Sequence, residues 1–112
     1  MRIAIPLAQG KLAMHFGHCE EFALMDVDEG RKVIVSQQRV KAPEHQPGLL
    51  PRWLGERGVN VVIAGGMGVR AQQLFATQGI RVAVGAAVQA PEDAALAFVA
   101  GTLKTGNNVC AH

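Results

Sequence analysis

Residues 59–64 (VNVVIA) constrain this chain more than any other stretch. They are almost entirely β-branched or apolar, and they lie between Gly58 and the pair Gly65 and Gly66. A short apolar run bounded by glycines reads as a strand buried on both faces, as in a parallel sheet covered by helices. The chain must therefore supply neighbouring strands and helices for both sides of that sheet.

The rest of the sequence supplies them. Residues 2–7 form a short apolar run and read as the first strand, followed by a loop over 8–18 that contains Gly10 and Gly17. Residues 21–28 (EFALMDVD) alternate as a strand does, Asp28, Glu29 and Gly30 carry turn chemistry, and 31–40 complete a hairpin. The prolines at 43 and 47 make 41–47 a connection. Residues 49–57 place Leu50, Trp53 and Leu54 at helical spacing, with Gly58 as the cap. A helix over 67–78 closed by Gly79, a strand over 80–84 and a helix over 91–103 with Pro91 in its first turn follow. The order predicts an α/β fold of three layers, with a mixed, mostly parallel sheet of five strands flanked by helices. Residues 1–104 form one domain, and 105–112 are a tail held in place only if Cys110 or His112 is engaged.

Composition narrows the function classes. At 112 residues there is room for one domain but not for separate catalytic and cofactor domains. The net charge is +2 and the basic residues are scattered from Arg2 to Lys104, unlike the concentrated stripe of a nucleic-acid binder. No apolar run approaches the roughly 18 residues of a membrane span. The start runs directly into a strand without a secretory signal, which predicts a cytoplasmic protein. Two cysteines do not make a disulfide framework.

Chemistry concentrates in three places. Residues 14–19 (MHFGHC) hold a thioether, the imidazoles of His15 and His18, and the thiol of Cys19, donors suited to iron, copper, zinc or sulfur-rich clusters. Cys19 can equally pack as a small hydrophobe at the start of a strand. Cys110 and His112 end the chain, and with the first loop they could close around a metal, although neither half has the Cys-x2-Cys spacing of a strong zinc motif. Residues 64–70 (AGGMGVR) form a glycine-rich turn from strand to helix, where free amides, the helix dipole and Arg70 suit an anion. The glycines can equally serve only the tight turn. Both loops follow parallel strands, the edge at which open α/β sheets bind ligands.

The opening Ile3-Ala4-Ile5-Pro6, the loop His15-Phe16-Gly17-His18-Cys19, Pro43-x-His45-x-Pro47-Gly48, the turn Gly65-Gly66-Met67-Gly68, and the ending Gly106-Asn107-Asn108-Val109-Cys110-x-His112 resemble the dinitrogenase iron-molybdenum cofactor biosynthesis family. That family includes carrier domains of nitrogenase cofactor assembly and the orange protein, which holds a molybdenum-copper sulfide cluster. The resemblance implies a ribonuclease-H-like sheet with one antiparallel strand, and carriage of a metal-sulfur cluster or its precursor without catalytic turnover. It implies cluster-facing roles for His15, His18, Cys19, Gly65, Gly66, Met67 and Gly68, and it places His45 in a subgroup pattern.

The expected function is non-enzymatic carriage of an iron- or molybdenum-containing cluster. Cys19 and His18 are the leading ligands, Cys110, His112 and His45 are further metal candidates, and Arg70 faces the cluster charge. Donor or acceptor proteins are the implied partners, and a homodimer is left open. The alternative is a mononuclear zinc- or copper-binding regulatory or storage module that uses the same residues. A two-metal nuclease is disfavoured because the first strand carries no carboxylate.

Overall fold

The first strand, β1 (Arg2–Ala8), alternates its side chains between two cores. Ile3, Ile5 and Leu7 point to one and Ala4 to the other, all completely buried. The computed structural model describes residues 1–44, 46 and 48–106. Around β1 it places β2 (Lys11–Leu12), β3 (Glu21–Asp28), β4 (Val33–Lys41), β5 (Val61–Ile63) and β6 (Arg81–Ala83), with the helices α1 (Leu49–Glu56), α2 (Val69–Thr77) and α3 (Pro91–Ala100).

The main path of the sheet runs β4-β3-β1-β5-β6. β1, β5 and β6 are parallel, while β3 is antiparallel to both β1 and β4. Within that path β3 alone runs against the others, which is the mixed sheet that the element order predicts. Helices cover both faces. Leu50, Leu54 and Phe75 of α1 and α2 pack with Phe22, Leu24 and Val62, and Ala94 and Ala95 of α3 pack with Ile3, Ile5, Met25 and Ile63. Fully burying a Leu, Ile, Val, Phe or Met side chain contributes roughly 1.5–3 kcal/mol, and an alanine methyl less, so the two cores carry the layered arrangement.

The structure departs from the sequence reading in places with local causes. The stretch 8–18 is not a plain loop: β2 pairs back onto β1 through Gln9 (φ 54°) and Gly10 (φ 80°). Positive φ at both central residues is what a two-residue hairpin demands, and Gln-Gly is a weaker signal for it than Asn-Gly. The sheet thus has six strands rather than five. α3 stops at Ala100 instead of 103, because Gly101 (φ 76°) takes the left-handed cap. Thr105 and Gly106, the start of the expected tail, have backbone contacts of their own, while Cys110 and His112 lie outside the described residues. Thr105 bridges Ala86, and the Gly106 amide donates to the Gly85 carbonyl at 2.7 Å. Among the described residues no helix is long and apolar enough to cross a membrane.

Candidate functional site

Because β1, β5 and β6 are parallel, the segments that follow them meet at one edge of the sheet. The segment after β1 lies directly on the turn after β5. The Gly66 amide donates to the Met14 carbonyl at 2.6 Å, the Phe16 amide donates to the Gly66 carbonyl at 2.9 Å, and His15 and Gly66 form a parallel bridge. A Cβ on Gly65 would stand 2.6 Å from the Met14 oxygen and 2.9 Å from that of Ala13, closer than real Cβ atoms come. Gly65 is therefore required by a crossing of two backbones. The Gly66 amide, which the sequence offers to an anion, is already engaged by Met14.

Phe16 fixes the orientation of the histidine loop. It begins a 3₁₀ turn, Phe16–His18, and its buried ring meets Phe75 edge-on at 5.5 Å and Phe22 at 6.0 Å. Anchoring Phe16 inward turns its neighbours outward. His18 is exposed and His15 half-buried, with ring centroids 5.6 Å apart, so both imidazoles can face one soft ion or cluster. Cys19 behaves differently. It is half-buried against the core of Phe22 and Leu54, and burial pushes its thiol up to about 11, only partly offset by a backbone hydrogen bond. It ligates a metal only after deprotonation and a change of packing. Among the described residues, no three of His, Cys, Asp and Glu converge as a metal site. His45, Cys110 and His112 lie outside the described residues.

The start of α2 faces the same edge. Its first intrahelical bond runs from the Gln72 amide to the Gly68 carbonyl, and no side chain caps it, so the Val69 and Arg70 amides have no helical partner. Arg70 is exposed beside them. Met67 is buried with Phe75, and its backbone carbonyl accepts from the Gln72 side chain at 3.0 Å. A cavity of about 210 Å³ opens between the two loops, lined by Phe16, Gly17, Gly48, Leu50, Met67 and Ala71 among others. Met14, Val69 and Val88 are exposed large hydrophobic residues on the segments at this edge. The walls of this cavity are largely apolar, with Phe16 and Gly17 of the histidine loop on one side and Gly68 and Ala71 at the start of α2 on another, a setting that suits a soft, partly desolvated ligand.

Sequence reading did not single out Gly85. Its amide donates to the Gly65 carbonyl at 2.6 Å, and its φ of 85° is left-handed. The available signal was a glycine directly after the strand at 80–84.

Residues 1–101 match the family described as dinitrogenase iron-molybdenum cofactor. The protein MJ0580 of Methanocaldococcus jannaschii is 29% identical over 85 residues, which are 73% of this chain and 72% of that protein. Among solved structures, PH0822 superposes with a TM-score of 0.87 at 29% identity, covering 96% of each chain. The apo form of the orange protein from Desulfovibrio gigas superposes with a TM-score of 0.72 at 22% identity, covering 96% of this chain and 93% of that one; this likeness is one of fold.

Proposed function

Since the chain belongs to the dinitrogenase iron-molybdenum cofactor family, we propose that it binds and carries an iron- or molybdenum-containing metal-sulfur cluster, or its precursor, at the edge where the histidine loop meets the turn after β5. The observation that carries this reading is the placement of His15 and His18, with centroids 5.6 Å apart, on a loop hydrogen-bonded to Gly66 and beside an apolar cavity. Two imidazoles leave a tetrahedral zinc ion short of ligands, whereas a cluster brings sulfides of its own. His15 and His18 hold the cargo, and the Val69 and Arg70 amides with the Arg70 guanidinium offset its negative charge. Cys19, Cys110, His112 and His45 are the reserve from which further ligands come. In this reading, which the cofactor-biosynthesis family supports, the protein holds the cluster for a donor or acceptor protein and does not transform it.

The test is anaerobic reconstitution with iron and sulfide, and separately with tetrathiomolybdate and copper. Carriage predicts visible charge-transfer absorption that coelutes with the protein and is lost in the His15→Ala, His18→Ala double variant. A colourless protein that retains stoichiometric zinc would sink the cluster reading in favour of a mononuclear site.

A further inference from the structure

The strand β4 closes one side of the sheet, and among the described residues β3 is its only strand partner. The opposite side ends in β6, which is three residues long, a length that blunts an edge. β4 runs for nine residues and contains no proline. The Ala42 amide donates to the Glu20 carbonyl at 3.0 Å, and the same register sets Val40 opposite Phe22, Gln38 opposite Leu24 and Ser36 opposite Asp26. Antiparallel pairs alternate between bonded and unbonded, so Ser36, Gln38 and Val40 bond to β3 while the amides and carbonyls of Gln37, Arg39 and Lys41 face outward. That row is a template for one more strand.

The side chains along the row define what such a strand must carry. Residues 31–41 hold Arg31, Lys32, Arg39 and Lys41 and no acidic residue. All four cations are exposed, and the single ion pair among the described residues, Arg2 with Asp26, uses none of them. Lys41 stands opposite Glu21 on β3 without pairing with it. Val35 is 67% exposed and Val33 38%, so apolar surface lies beside the charge. A second copy of this chain would bring the same cations face to face, the arrangement by which edge lysines prevent self-pairing. An acidic strand brings carboxylates to them instead, while the main-chain bonds supply the pairing. Leu7, Glu21 and Lys41 form one row across the sheet, so β4 ends at the side from which β1 leads toward the histidine loop.

We propose that β4 is a docking edge for an extended acidic segment of another protein. The segment adds to the sheet as a further strand through the outward amides and carbonyls of Gln37, Arg39 and Lys41, and sets its carboxylates against Arg39 and Lys41. The inference rests on the edge itself and not on cluster carriage.

Amide hydrogen exchange followed by NMR tests it, with the full-length protein and a capped peptide of alternating Glu and Val as the probe. At saturation the peptide should slow exchange at Gln37, Arg39 and Lys41 by at least about tenfold and leave Ser36, Gln38 and Val40, already bonded to β3, nearly unchanged. A peptide of alternating Lys and Val, and the acidic peptide with every backbone amide methylated, should each bind at least about tenfold more weakly. Gln37→Pro removes one outward amide and none that bonds to β3, so it should fold, as circular dichroism checks, and lose the protection at Arg39. Where that variant does not fold, the double reversal Arg39→Glu, Lys41→Glu tests the same surface: it should bind the Lys and Val peptide in place of the acidic one. Unchanged exchange at Gln37, Arg39 and Lys41 would overturn the proposal. So would equal binding of the methylated peptide, which marks attraction by charge alone, or protection of the same amides by self-association without peptide. No metal enters this measurement, so its failure leaves cluster carriage standing, and a colourless reconstitution leaves the docking edge standing.

Discussion

The carbonyl oxygen of Met14 accepts the amide of Gly66 at 2.6 Å and stands 2.6 Å from where a Cβ on Gly65 would lie. One atom thus ties the histidine loop to the turn after β5 and forbids a side chain beneath it. Gly65→Ala should force the two segments apart and destabilise the protein by about 1–3 kcal/mol, the usual range for overpacking. Gly17→Ala, with nothing within 4 Å of its new methyl, should stay within about 0.5 kcal/mol of the parent. Urea unfolding of both variants decides the matter, and equal midpoints would contradict the crossing.

Phe16 is the weight-bearing side chain of the same loop. Its ring lies between Phe22 and Phe75, so Phe16→Ala should cost about 3–5 kcal/mol. The histidine ring resonances in an NMR spectrum should also lose their distinct environments. A stable variant with unchanged imidazole signals would mean that the loop is held by its backbone alone.

Asp26 gives a pH dependence of defined sign. Hydrogen bonding from the Arg2 guanidinium at 2.8 Å, and more weakly from Ser36, holds its carboxyl below the usual carboxylate range. Its contribution to stability is present above the unfolded-state value of about 3.9 and disappears as pH falls through the lower folded value. The difference in urea midpoint between the parent and Asp26→Asn should therefore narrow from pH 7 toward pH 3. The pair is half-exposed, so the gap should be small and should shrink in high salt.

Cys19 should be a slow thiol in the metal-free protein. With burial raising it from 9.0 to about 11, the thiolate fraction at pH 8 drops by on the order of a hundredfold relative to the unfolded chain. Iodoacetamide labelling followed by peptide mass analysis should show Cys19 protected until urea is added. Stability linked to this group holds below pH 9 and is lost as pH rises toward the folded value. Labelling of Cys19 at the unfolded rate in native buffer would place it outside the core.

Local chemistry made much of the architecture legible. Strand β3 spans Glu21–Asp28, as its alternation indicates, and α1 begins at Leu49. Gly58 and Gly79 follow α1 and α2 in the left-handed conformation. These are short-range effects of periodicity and capping. The site was legible only as a set of residue types. The sequence brings His15 and His18 within three residues of each other, but nothing local says that Phe16 between them faces the core, that Cys19 turns inward, or that Met67 packs against Phe75.

The sequence by itself determined the layered α/β class and the concentration of soft donors in residues 14–19, because these follow from pattern and composition. Tertiary structure alone decided how the loop of His15 and His18 lies against the turn after β5. Contacts such as Met14 with Gly66, Gly85 with Gly65 and Gly106 with Gly85 join residues far apart in the chain. Their geometry depends on strand order and backbone close approach, which residue identity does not encode locally.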